Sequence, residues 1–231
     1  MSHKNMNINE LAKMLGSDYH HVTRLARRGD IPRQTVRGEF RFNTTDIYHW
    51  LHNTLPTKTR SELSQIDAGL SLHRGLPVAP PMISQHLQCP AIALNLDART
   101  QNSLSRKLVG LADNTDCVYD SQLLMKHLVI KTLPMGIALL HPNQALPYAL
   151  SEPVVAMART QGSVMVNQGI HTNLCFLCAA QDTSHHLHLL TRLCQLLQDQ
   201  DLLDRLTQAD TALDMIEAIT NAEDALVACE V

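Results

Sequence analysis

The chain has 231 residues, 45% hydrophobic and 18% charged, which allows a substantial core and excludes wholesale disorder. A formal net charge of −3 argues, taken alone, against a nucleic-acid partner. The charge is split, however: residues 1–60 hold ten Lys/Arg against five acids, and residues 61–231 hold nine against seventeen, so a basic head precedes an acidic body.

In chain order, Asn7 and Glu10 have the spacing of a capping box, and Ile8, Leu11, Ala12 and Leu15 follow at helical intervals before Gly16. Asp18 can cap a second helix that carries Val22, Leu25 and Ala26 and stops at Gly29. Two short helices around a tight glycine turn read as a helix-turn-helix. Thr35 to Phe42 reads as a small hairpin bent at Gly38, and Thr45-Asp46 opens a third helix with Ile47, Trp50 and Leu51. Residues 54–82 are mostly polar, end in a cluster of Pro77, Pro80 and Pro81, and read as a linker with a helical stretch around 62–72.

The body then reads as mixed α/β. Helices are expected at 104–111, 120–129, 184–198, 202–206 and 210–219, and strands at 136–140, 154–159 and 173–180. No run of 18 apolar residues occurs, so no membrane span is expected. The start of the chain leads into an amphipathic stretch and not a signal peptide. The six cysteines are scattered, which implies reduced thiols in a cytoplasmic protein.

The second helix offers Tyr19, His20, Thr23, Arg24, Arg27 and Arg28 on the side away from its apolar residues. Such a face suits the major groove, with arginines on bases or phosphates. The hairpin adds Arg37 and Arg41 where a wing would reach a neighbouring backbone. The run from Ile8 to Gly16, the stretch Val22 to Pro32, Phe40-Arg41-Phe42 and Asp46 to Leu51 together resemble the excisionase/MerR-type winged helix-turn-helix. That resemblance implies that the middle helix reads double-stranded DNA and that the turn through Gly29 and Pro32 leads into the wing.

In the body, Gly136-Ile137-Ala138-Leu139-Leu140-His141-Pro142 delivers a histidine at the end of a strand, and Ser184-His185-His186-Leu187-His188 opens an amphipathic helix. A neutral imidazole is nucleophilic near pH 7 and can accept a phosphoryl group. These runs, with Asn167-Gln168-Gly169-Ile170 and the strand from Leu174 to Cys178, resemble the enzyme IIA domain of the fructose/mannitol type, including its nitrogen-regulatory relative. The resemblance implies that His141 is the phosphoacceptor and His186 its partner, with phosphate taken from the phosphocarrier HPr and passed to a IIB protein. The chain departs from the pattern at Leu140, where the family has Pro, and at Pro142, where it has Gly. The family's Arg is replaced in the run Met125-Lys126-His127, which leaves Lys126 as the nearest substitute.

Other chemistry is weaker. Cys175 and Cys178 lie three apart on an apolar strand and point to opposite faces, against a metal or redox site. His185, His186 and His188 read as polar surface at a helix start, and no metal or cofactor is expected. The fold expected is α+β: a winged helix-turn-helix over 1–55, a linker over 56–81 and a IIA-like domain over 82–231. The function expected is a homodimeric DNA-binding transcription regulator, switched by phosphorylation of His141. Two alternatives remain open: a regulator whose IIA-like domain is inactive in phosphotransfer and serves oligomerisation or ligand sensing, and a phosphocarrier with a vestigial head. An enzyme is not expected beyond a phosphohistidine acceptor.

Overall fold

A computed structural model describes residues 5–73, 83–167 and 169–228. The expected proline cluster at Pro77, Pro80 and Pro81, and Gln168 of the expected turn, lie outside the described residues. The chain divides into two units, Met1–Ala79 and Pro80–Val231.

The first unit follows its capping signals. The Asn7 side chain accepts from the Glu10 N–H, and the Glu10 carboxylate accepts from the Asn7 N–H at 2.8 Å, opening α1 (Ile8–Met14) after the short strand β1 (Asn5–Met6). Asp18 accepts from the His21 N–H to open α2 (Tyr19–Arg28), and Gly29 closes it in the left-handed conformation at φ 82°. Strands β2 (Gln34–Val36) and β3 (Glu39–Asn43) form an antiparallel hairpin, and β1 pairs with the other edge of β3. The two-residue turn has Arg37 at φ 53° and Gly38 at φ 83°, the positive-φ pair that matches strand twist in a tight hairpin.

Helix α3 (Thr44–Thr54) starts one residue before the expected Thr45, because Asn43 supplies the cap by accepting from the Thr45 and Asp46 N–H groups. The helical stretch expected around 62–72 within the linker is present and slightly longer, as α4 (Arg60–His73), which packs against α1. Leu63, Ile66 and Leu70 are buried along it, joining Leu11, Met14, Val22, Phe42, Ile47 and Leu51 among the buried residues of this unit.

The second unit is built on a five-stranded mixed sheet of β4 (Leu87–Leu96), β5 (Leu128–Leu133), β6 (Ile137–Pro142), β7 (Val154–Val166) and β8 (Ile170–Ala179), in the order β4-β7-β8-β6-β5. Pairs β4·β7 and β6·β8 are parallel, and β7·β8 and β5·β6 are antiparallel. Helices α5 (Gln101–Asp113) and α6 (Ser121–His127) come before β5, and α7 (Thr183–Leu196), α8 (Gln200–Gln208) and α9 (Ala212–Ala228) follow β8.

Ala138, Leu140, Ala156, Cys175 and Leu177 share one core cluster with Leu104 and Leu108 of α5 and Leu124 of α6. Side chains alternate along a strand, so Leu139 and His141 face the opposite side of the sheet. The expected helix over 120–129 ends at His127, and Leu128-Val129-Ile130 belong to β5 instead. The β-branched pair Val129-Ile130 fits the pleated sheet better than another helical turn.

No described helix is long and apolar enough to cross a membrane.

Candidate functional site

His141 ends β6, an interior strand held by β8 on one edge and β5 on the other. The strand is launched by a turn in which Met135 and Gly136 both take positive φ, 68° and 75°. The His141 side chain is 1% exposed. Its Nδ1 lies 3.0 Å from the Pro142 carbonyl oxygen, a geometry in which Nδ1–H donates and Nε2 keeps its lone pair. Burial pushes the imidazole pKa down to about 4; the Pro142 carbonyl opposes this, and the charge of Lys131 adds to it. The ring is therefore neutral at pH 7, the state required of a nucleophile.

His186 stands in the first turn of α7. Asp182 caps that helix, accepting from the His185 N–H at 2.7 Å through its side chain and from the His186 N–H at 3.0 Å through its carbonyl. The His141 and His186 rings lie 5.7 Å apart at 42°, with a nitrogen of each within 4.8 Å of the other. Two imidazoles at this distance, at the positive end of a helix dipole, can flank a phosphoryl group or share a cation or a proton.

The reading of these histidines as polar surface is corrected: His186 and His188 are fully buried, and His185 is largely shielded. The reason for His186 is its turn toward the sheet, where it meets His141. His185 makes an edge contact with His86, ring centroids 5.4 Å apart. Burial lowers the His86 pKa, and the carboxylates of Glu152 and Glu223 work against that.

Lys126, the nearest substitute in sequence for the family's Arg, lines a cleft of about 430 Å³ between α5 and α6 with Arg106, Val109, Asp113 and Met125. The cation whose charge bears on His141 is Lys131 of β5, which sequence reasoning passed over. Its signal was available only through strand register, since the sequence reading ended a helix at Val129 and expected no strand over 130–133. Cys175 and Cys178 take opposite faces as expected, and burial pushes both thiols up to about 12, which leaves them unreactive.

A second cleft, also about 430 Å³, lies in the first unit. Tyr19, Thr23 and Arg27 of α2 line it with Arg41 and Phe40 of β3 and Asn7 and Asn9 at the start of α1. Of the expected DNA-contacting residues, the cleft thus gathers four. His20 lies against Tyr19, ring centroids 5.7 Å apart, and Arg24 bonds His21 Nδ1 at 2.9 Å. Arg28 pairs with Asp30 at 3.0 Å, Arg41 with Glu39 at 2.7 Å, and Arg37 occupies the hairpin tip. Asn7 and Asn9 at the start of α1, and Phe40 of the hairpin, line the same cleft. The Phe40 ring carries the Arg33 guanidinium at 5.2 Å.

Residues 85–222 match the family described as phosphoenolpyruvate-dependent sugar phosphotransferase system, EIIA 2. Among solved structures, the unit is similar to a phosphotransferase IIA domain from Streptococcus pyogenes, at 17% identity and TM-score 0.51, covering 62% of this chain and 97% of that one. It is also similar to a phosphotransferase IIA protein from Streptococcus mutans, at 13% identity and TM-score 0.51, covering 62% and 96%. The nitrogen regulatory IIA protein of Neisseria meningitidis aligns at 19% identity and TM-score 0.47, covering 59% and 98%. At such identities these likenesses concern the fold alone. No curated protein matches the chain significantly. Because the match spans more than half of its length, the chain belongs to the phosphoenolpyruvate-dependent sugar phosphotransferase system EIIA 2 family.

Proposed function

We propose that the protein is a cytoplasmic DNA-binding transcription regulator in which a winged helix-turn-helix head is controlled by the EIIA domain through phosphorylation of His141. The observation that carries the DNA-binding half is the single cleft that gathers Tyr19, Thr23 and Arg27 of α2 with Arg41 of the hairpin. A basic helix beside a hairpin is the arrangement that inserts into a major groove while the hairpin holds the flanking backbone. The local excess of Lys/Arg over acids in residues 1–60 supports the same reading. One small head gains affinity by pairing, so the protein acts as a homodimer on a two-part DNA site.

The switching half rests on the neutral, buried His141 with His186 at 5.7 Å. In the transfer, His141 Nε2 attacks phosphorus, the bond from phosphorus to the donor breaks, and the electron pair leaves with the donor. The proton stays on Nδ1, which goes on donating to the Pro142 carbonyl. The new group carries about −1.5 to −2 charges near pH 7, by analogy with hydroxyl phosphates. A charge of that size is costly in a dry site. The surroundings of His141 therefore have to rearrange to admit and match the new charge, and this rearrangement is the switch. The donor is the phosphocarrier HPr.

The test is incubation of the full chain with enzyme I, HPr and labelled phosphoenolpyruvate, followed by a mobility shift on bound DNA. Label that disappears in His141→Ala and changes DNA affinity is the expected result. A second reading is favoured by the 1% exposure of His141 and by Leu140 and Pro142 at its flanks: a domain inactive in phosphotransfer that serves assembly or ligand sensing. Absence of label with DNA binding intact supports that reading. Label without any salt-dependent DNA binding supports a phosphocarrier with a vestigial head.

A further inference from the structure

We propose that Lys131 holds the phosphoryl oxygens on His141. The inference rests on the reading of His141 as the phosphoacceptor. It starts from strand register. In the antiparallel β5·β6 pair, Val129 stands opposite His141 and Lys131 opposite Leu139. Residues directly opposite share a face, and so do residues two apart on one strand. Lys131 and His141 therefore project from the same face of the sheet as diagonal neighbours. Diagonal neighbours are about 7–8 Å apart, their Cβ atoms somewhat less, and a lysine spans that distance with its stem extended.

Chemistry makes the placement useful. A phosphoryl group arriving at Nε2 spreads negative charge over its oxygens in the transition state and keeps it in the product. The start of α7 contributes N–H dipoles and the His186 ring on one side. A cation is needed to balance the remaining charge, and Lys131 reaches from the neighbouring strand. Burial is the main cause of the low His141 pKa, and the charge of Lys131 adds to it in the same direction.

Lysine differs from arginine here in a defined way. Its ammonium is a compact point charge and contacts one oxygen at a time, whereas guanidinium grips two. The chain should consequently tolerate arginine at 131 and fail with an uncharged residue of the same length. Lys126 is the internal control, because it lines the α5–α6 cleft with Arg106 and Asp113.

The experiment uses the full chain and phosphoramidate as a small donor that needs no protein partner. In that reaction the donor P–N bond breaks, ammonia leaves with its electron pair, and a P–Nε2 bond forms at His141. The phosphohistidine is followed by phosphorus NMR and by intact mass. Wild type is expected to label, and His141→Ala is expected not to. Lys131→Met and Lys131→Gln are expected to slow labelling by roughly tenfold or more, as for removal of one charge-stabilising donor. Lys131→Arg is expected to restore it, and Lys126→Met to leave it unchanged.

A role in packing alone would not move one further readout. In Lys131→Met the His141 imidazole should titrate at higher pH than in wild type, seen by proton NMR of the ring. Wild-type labelling rates in both uncharged variants, with label still lost in His141→Ala, would overturn the role of Lys131 and leave the phosphoacceptor reading standing. Absence of label from wild type would remove both.

Discussion

The His141 imidazole, at the end of β6, lies 5.7 Å from the His186 imidazole in the first turn of α7, and both rings are buried. The burial has a measurable cost in acid. The unfolded chain protonates His141 near the ordinary 6.5, and the folded protein resists until about 4. Between those values the unfolded state binds more protons, so stability rises with pH through this window and falls as pH drops through it. The full contribution, present above the window, is up to roughly 3 kcal/mol. Urea denaturation of wild type and His141→Gln between pH 4 and pH 7 should show a steep slope in wild type and a flatter one in the variant. Equal slopes would mean that His141 is solvated in solution.

Glycines set a second prediction, in the first unit. A Cβ added to Gly69 of α4 would stand 2.3 Å from the Gly16 backbone nitrogen and 2.6 Å from the Met14 carbonyl oxygen. The neighbours are backbone and have no rotamer to give. Gly69→Ala should therefore push α4 off the end of α1. A cost of about 1–3 kcal/mol is expected even though alanine is the better helix former. The check is the thermal midpoint of the full chain, with Gly110→Ala, whose Cβ meets nothing within 4 Å, as the control that should not lose stability.

How far the sequence carried the fold can be judged from such places. The capping box of Asn7 and Glu10, the Asp18 cap and Gly29 are local signals, and each helix they mark is present. The helical stretch expected around 62–72 is present as α4 (Arg60–His73), but it was placed in a linker because its start is polar. What fixes it is the close glycine contact with α1, which no local pattern records. Strand β4 was missed because Pro90 interrupts it, and a proline is tolerated there because β4 is an edge strand. The spacing of His141 and His186 was legible as a resemblance, but their burial and the position of Lys131 arise from sheet register and helix packing.

The start of the second unit depends on one buried carboxylate. Glu223 of α9 accepts from the Ile83 N–H at 2.9 Å, the Ser84 N–H at 3.1 Å and the Ser84 hydroxyl at 2.8 Å. Glu223→Ala leaves those donors without their acceptor, and a buried donor so deprived costs more than a net hydrogen bond contributes. A loss of about 2–4 kcal/mol is expected. Urea denaturation should report it. A loss below about 1 kcal/mol would show that water replaces the carboxylate without penalty.

The last prediction separates two neighbouring arginines of α2. Arg27 lines the cleft shared with Arg41, whereas Arg28 is paired with Asp30 at 3.0 Å just beyond the helix end. An arginine that contacts a phosphate releases counterions when DNA binds, and its removal lowers the slope of log affinity against log salt by about 1. Arg27→Ala should do this in fluorescence anisotropy titrations over a range of salt concentrations. Arg28→Ala and Arg41→Ala should change the slope less, because their charges are already partly matched by Asp30 and Glu39. The exposed Arg28–Asp30 pair contributes little to folding, so a loss of binding in Arg28→Ala would not be traceable to unfolding. Equal slopes for all three variants and wild type would remove α2 and the hairpin from the DNA contact surface and send the basic excess of residues 1–60 to another role.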